Sequence, residues 1–157
     1  MAHDIERAEV EAHHTLTEIA HAAKRYWGYP DRWMQLWRDV LTITPDYIAG
    51  NEVYVARAGN KIVGFYALTG SGAKVTLDHL WLSPSQIGAG VGRALFHHAA
   101  ATARRLGATE IEIESEPYAI GFYEHMGARR VGENEYELDG QPRVLPLLVY
   151  QLDAGPR

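Results

Sequence analysis

Residues 77–108 read LDHLWLSPSQIGAGVGRALFHHAAATARRLGA, and three patterns follow one another in this stretch. From Lys74 to Leu82 the residues alternate. Val75, Leu77, His79 and Trp81 point one way and Thr76, Asp78, Leu80 and Leu82 the other, which predicts a strand. Ser83-Pro84 then opens a loop with Gly88, Gly90 and Gly92 at alternate positions. Arg93 to Leu106 is full of Ala and Leu and stops at Gly107, as a helix does. Such a loop turns main-chain N–H groups into one concavity at a helix N-terminus, a cradle suited to phosphate. It is not a dinucleotide turn, because Arg93 stands where the third glycine of GxGxxG belongs. A Walker loop needs a closing Gly-Lys-Ser/Thr, which is absent.

Working outward, Leu16, Ile19, Ala20 and Ala23 recur at helical spacing between Glu9 and Tyr26. Gly28 and Pro30 break that helix. Asp31 starts a second, with Trp33, Leu36, Trp37 and Val40 at steps of three and four, and Thr44-Pro45-Asp46 punctuates again. Two strands, Glu52 to Arg57 and Lys61 to Leu68, flank the Ala58-Gly59-Asn60 turn. Beyond the long helix come a strand at Thr109 to Glu114, a short helix at Ala119 to Met126, and strands at Arg129 to Glu133 and Val144 to Leu152. Asp139-Gly140 is the turn between those last two strands. The expected order is helix, helix, three strands, helix, strand, helix, two strands, a mixed α/β unit.

The 157 residues suit a single domain, 1–157, with a helical region at 1–50 and a core at 51–153. With no cysteine, disulfide scaffolds, zinc ribbons and thiol nucleophiles are excluded. A net charge of −5, from Lys+Arg 15 against Asp+Glu 20, argues against a nucleic-acid footprint and mildly for a cationic or neutral partner. Asp4, Glu6 and Glu9 stand where a secretion signal needs a basic start and an apolar run. No apolar run approaches the ~20 residues that span a bilayer, so no membrane partner and a cytoplasmic location are expected. His14, His21, His97 and His98 lack metal-ligand context and are read as surface helix histidines, with no metal.

The strand, glycine loop and helix resemble motif A of the GNAT superfamily of N-acetyltransferases. PYAIGFYEHMGA, residues 117–128, looks like that family's motif B. The sequence departs from the pattern at Ile87, in a Gln/Arg position, and at Glu116, where many members carry Asn. The resemblance implies the GNAT fold. That is a central mixed, mostly antiparallel sheet, splayed between its fourth and fifth strands and flanked by about four helices. It also implies acetyl-CoA as co-substrate, held by main-chain groups of Leu80 and Leu82 and by the segment Ile87, Gly88, Ala89, Gly90, Val91, Gly92 and Arg93. The Leu80 amide is then the oxyanion donor. A homodimer is one state the resemblance allows.

Direct transfer needs a neutral amine, and an alkyl ammonium of pKa ~10.4 is ~3.4 units too protonated at pH 7, about 4.6 kcal/mol. A base is therefore expected, with Asp78 first, Glu114 second, and His79 on the opposite face. The resemblance assigns Tyr123 the protonation of the leaving thiolate. It also sets Trp27, Tyr29, Trp33 and Tyr66 on the acceptor side, which suggests a small primary amine with an apolar or aromatic body. A protein N-terminus or lysine is the alternative acceptor, and a non-catalytic CoA-binding module is the alternative class. An NAD-linked enzyme ranks below both. With no cysteine, no acetyl-cysteine intermediate forms, so the transfer is expected to be direct and sequential.

Overall fold

The chain opens with a strand that its charged sequence does not announce. Asp4–Arg7 (β1) pairs antiparallel with Glu52–Ala58 (β2), Asp4 opposite Arg57 and Arg7 opposite Tyr54. Three of the four β1 residues are exposed, so no apolar alternation marks it. Its pairing and the Glu6–Arg57 ion pair hold it instead. A computed structural model describes residues 3–152; residues 1–2 and 153–157, the ends of the expected 1–157 domain, lie outside the described residues.

Helices α1 (His13–Arg25) and α2 (Asp31–Leu36) follow, then α3 (Pro45–Gly50), which the sequence reading took as punctuation. Its cause is local. Thr44 Oγ1 accepts from the Tyr47 N–H at 3.0 Å, and Pro45 occupies the first turn, where its missing N–H costs nothing. Strands β3 (Lys61–Thr69) and β4 (Lys74–Leu82), helix α4 (Val91–Arg105), strand β5 (Glu110–Glu114), helix α5 (Ile120–His125) and strands β6 (Arg129–Leu138) and β7 (Gln141–Gln151) complete the described chain. The seven strands form one mixed sheet in the order β1-β2-β3-β4-β5-β7-β6, with β4 and β5 parallel. No helix among the described residues is long and apolar enough to cross a membrane.

The chain divides into two compact units. One comprises the described chain from His3 to Ala67 together with His79–His98. In its core, Leu16, Ile19 and Ala20 of α1 are buried as their spacing predicts, with Met34, Ile43, Ile48, Val53, Val55 and Phe65. Thr17 Oγ1 ties α1 to the segment before α3, accepting from the Ile43 N–H at 2.9 Å. The expected apolar stripe of α2 is corrected: Met34 is buried, while Leu36 and Val40 are 50% and 65% exposed. The helix ends at Leu36, so Val40 no longer shares its phase.

The other unit comprises Leu68–Asp78 and the described chain from Ala99 to Leu152. Within it Ile111 and Ile113 are buried between Glu110, Glu112 and Glu114, the alternation read from the sequence. The parallel ladder of β4 and β5 covers only Lys74–Thr76 against Glu110–Glu112, two residues short of Asp78 and Glu114. The β6–β7 hairpin is longer than predicted, because most of β6 is exposed on both faces and shows no alternation. Its turn is the expected one, with Asp139 and Gly140 at φ 52° and 77°, the left-handed pair a two-residue hairpin requires.

Candidate active site

In the first unit, the site is built on the end of β4 and the loop that follows. His79 and Trp81 share a face of β4, and the Trp81 indole N–H donates to His79 Nδ1 at 2.9 Å. The His79 ring also meets Tyr47 edge-on at 5.7 Å, and Trp81 packs against the hydrophobic core. Alternation therefore turns Leu80 and Leu82 to the other face; both are partly buried. This matches the sequence reading of β4, in which His79 opposes Asp78.

A short 3-10 turn, Pro84–Gln86, leads from β4 into the glycine loop. Within the loop the Ala89 N–H donates to the Gln86 carbonyl at 3.1 Å, and His3 Nε2 lies 3.2 Å from the Ala89 carbonyl oxygen. Gly88 and Gly90 have φ of 86° and 85°, a region that L side chains rarely enter. A Cβ at either would meet nothing within 4 Å, so backbone conformation, not crowding, demands glycine there. The Ala94 N–H donates to the Gly90 carbonyl at 3.1 Å. The N–H groups of Val91, Gly92 and Arg93 are thus the first-turn donors that an α-helix leaves without intrahelical acceptors. Val91 is wholly buried, Ile87 is half exposed and Arg93 is exposed. The helix terminus is a set of oriented donors with positive potential, which suits a phosphate-bearing ligand.

Gly64 on β3 positions this helix, and the sequence reading missed it. A Cβ there would lie 3.0 Å from the Trp81 carbonyl oxygen, 3.1 Å from Leu95 Cδ1 and 3.2 Å from Val91 Cγ1. An isolated glycine inside a strand was the available signal.

The second unit carries the titratable candidates. Tyr123, on α5, is 7% exposed, and burial pushes its phenol well above the ordinary value. It therefore holds its proton at neutral pH and is a donor, not a base. Asp78 is exposed. Glu114, at the end of β5, accepts on Oε2 from Asn134 Nδ2 at 2.6 Å and from the Tyr136 hydroxyl at 2.5 Å. The bond to Glu114 raises the Tyr136 phenol above its usual range. Glu116, noted as a departure from the family pattern, pairs with Arg143 at 3.5 Å, their side chains 9% and 14% exposed. No local pattern links residues this far apart in sequence.

The expected acceptor-side aromatics separate into groups. Tyr29 stacks on Trp33 at 5.8 Å and meets Trp37 edge-on at 4.9 Å. Lys24 Nζ stands 4.2 Å from the Trp37 ring centroid and 5.1 Å from that of Tyr29, so those rings already hold a cation. Trp27 is 36% exposed and lies edge-on to Tyr26. Tyr66 is wholly buried, with its hydroxyl 2.8 Å from His98 Nδ1 and its ring stacked on Tyr54. His98 is correspondingly part of this buried arrangement, unlike the exposed His97 and unlike the surface reading made of both.

Three similarities to known proteins bear on the fold. A GCN5-related N-acetyltransferase from Rhodopseudomonas palustris superposes with a TM-score of 0.81 at 18% identity, covering 97% of each chain. The PaiA N-acetyltransferase of Thermoplasma acidophilum, solved in complex with coenzyme A, gives 0.76 at 18% identity, covering 96% of this chain and 99% of that one. The ribosomal-protein-S18-alanine N-acetyltransferase of Escherichia coli gives 0.73 at 16% identity, covering 98% and 96%. No curated protein matches the chain by sequence. The profile of the acetyltransferase (GNAT) domain matches residues 42–144, well over half of the sequence and inclusive of β4, the glycine loop, α4 and α5. By that match, the chain belongs to the GNAT acetyltransferase family.

Proposed function

We propose that this acetyltransferase moves an acetyl group from acetyl-CoA directly to a primary amine of a small molecule, in a ternary complex within one cytoplasmic domain. The observation that carries the reading is the loop at Gly88 and Gly90. Two left-handed glycines there deliver the main chain to the first turn of α4 with no side chain in the way. The residues fit a pyrophosphate group: Gly88, Ala89, Gly90, Val91, Gly92 and Arg93 would hold it, with Ile87 beside them and Leu80 and Leu82 along the pantetheine. Bound acetyl-CoA supplies the activated thioester acetyl group. The Leu80 N–H is the proposed oxyanion donor.

Asp78 is the proposed base for the acceptor ammonium, directly or through water. Glu114 ranks second because its Oε2 already accepts two hydrogen bonds. Tyr123 is the proposed partner of the leaving thiolate. Its raised pKa exceeds that of a thiol near ~8.5, so it lends a hydrogen bond and keeps most of its proton. Trp27 and Trp33 are the proposed contacts for the acceptor body, since the Tyr29 and Trp37 rings face Lys24. Tyr66, expected on the acceptor side, is not proposed as a contact, because it is wholly buried and its hydroxyl is bonded to His98.

The test is calorimetric titration with CoA, followed by release of free thiol from acetyl-CoA across a panel of small amines and peptides. Binding with turnover on small amines is expected. Turnover confined to peptides would replace the acceptor class, binding with no turnover on any amine would favour a regulatory module, and no binding would overturn the reading.

A further inference from the structure

The chain is acidic overall, yet one cleft on its helices is cationic. The cleft is about 450 Å³, within the range of small-ligand sites, and lies where α1 meets α2. His21 and Arg25, one helical turn apart, line it from α1. Asp31, Met34 and Gln35 line it from α2, at spacings that place them on one side of that helix, and Arg38 lines it from the turn that follows. Met34 is buried and forms an apolar floor, while the two guanidiniums are exposed at the walls. Among the described residues, no hydrogen bond or ion pair engages the side chain of Arg25, Arg38 or His21; Thr42 Oγ1 donates only to the Arg38 main-chain carbonyl. Asp31 is the one carboxylate among the six described residues that line the cleft, and it pairs with neither arginine.

We propose that this cleft binds the carboxylate or phosphate group of a small molecule, with Arg25 and Arg38 as its principal ligands and Gln35 as a neutral donor. Guanidinium groups are weakly hydrated, always charged and shaped to grip a carboxylate or phosphate through two parallel bonds. Two of them converging on one cleft without a protein acceptor leave that capacity to a ligand. The His21 imidazole, in the same cleft, is subject to the same field. Burial first, then Arg25 and Arg38, hold it below its ordinary value. Its occupancy is read without acetyl-CoA, so the test does not depend on the proposed acetyl transfer.

The experiment follows the His21 ring by NMR across pH, with and without sulfate and, separately, succinate, alongside calorimetry with each. Sulfate is a tetrahedral oxyanion that does not titrate near neutrality, and succinate supplies carboxylate alone; the tighter of the two identifies the ligand's anionic group. Saturable binding of at least one is expected, and saturation must raise the His21 pKa, because an anion favours the imidazolium. The His21 signal reports this cleft and not the loop before α4, which takes anions by its own main chain. In Arg25→Gln/Arg38→Gln, binding at the cleft should weaken about a hundredfold, from about tenfold per lost charge-assisted bond. The His21 pKa of that variant should rise without any anion and respond no further. Both arginines are exposed, so the variant is expected to fold, and Arg104→Gln, elsewhere on the surface, should bind as the parent does. An unmoved His21 pKa at anion excess, or cleft binding that survives in the double variant, overturns the proposal.

Discussion

Gly64→Ala puts one methyl group where β3 and α4 leave no room for it. The new Cβ would stand 3.0 Å from the Trp81 carbonyl oxygen, 3.1 Å from Leu95 Cδ1 and 3.2 Å from Val91 Cγ1. The carbonyl belongs to a paired strand and cannot swing aside. Leu95 and Val91 are both wholly buried, so a rotamer change pushes each into close-packed neighbours. Relief must come from α4 moving away from β3. Overpacking of this kind costs about 1–3 kcal/mol. For a chain of this length a central cost of about 2 kcal/mol lowers Tm by about 4–8 °C. Urea denaturation followed by tryptophan fluorescence should show a lower midpoint at unchanged slope. Because the first turn of α4 moves with the helix, CoA affinity should fall in the same variant. Gly121→Ala is the control. It lies in α5 with nothing within 4 Å of the added methyl, so helix propensity should stabilise it by up to about 1 kcal/mol. A Gly64→Ala protein as stable as the parent, or one that shifts in the same direction as Gly121→Ala, would refute the packing argument.

Tyr123→Phe should lower kcat far more than it weakens CoA binding; unchanged turnover removes the hydroxyl from the reaction. The same variant has a stability signature. Tyr123 is raised in the folded state, so the unfolded chain releases that proton first, and stability contributed below about pH 10 is lost as pH rises beyond it. Phenylalanine should flatten that alkaline loss, as measured by urea denaturation at stepped pH. Gly88→Ala faces open space, so its cost is the left-handed backbone alone, about 1–2 kcal/mol, and it should appear as weaker CoA binding with the core intact. Equal affinity in calorimetry would show that the loop does not hold the cofactor as proposed. Glu116→Ala removes the carboxylate paired with Arg143 in a nearly buried position and should cost about 3–5 kcal/mol, whereas Glu116→Leu/Arg143→Met should recover most of it. Equal thermal shifts for the single and double variants would show that the ion pair does not govern this region.

The part of the site that was legible in sequence is the part whose chemistry is local. Gly88 and Gly90 advertise a left-handed loop because no other residue adopts it cheaply, and the Ala-rich run to Arg105 advertises the helix that follows. Strand alternation alone places Leu80 on the face opposite His79 and Trp81. The stretch Thr44-Pro45-Asp46 shows the same kind of signal misread, since a cap and a first-turn proline start a helix as readily as they end a segment. β1 was illegible for a different reason. An exposed edge strand is held by its partner's backbone and by the Glu6–Arg57 pair, neither of which leaves an apolar pattern.

The sequence by itself determined the glycine cradle, the order of most elements and the identity of the two family motifs, because turns, caps and periodicity are interactions among near neighbours in the chain. Only the tertiary structure decided which side chains those elements bring together. Gly64 matters because β3 runs under α4, and Glu116 is neutralised because β7 carries Arg143 back to it. The tertiary structure also brought two of an acidic chain's arginines, Arg25 and Arg38, into one cationic cleft. Net charge sums over the whole sequence, but an electrostatic field at a site depends on distance, and distance belongs to the fold.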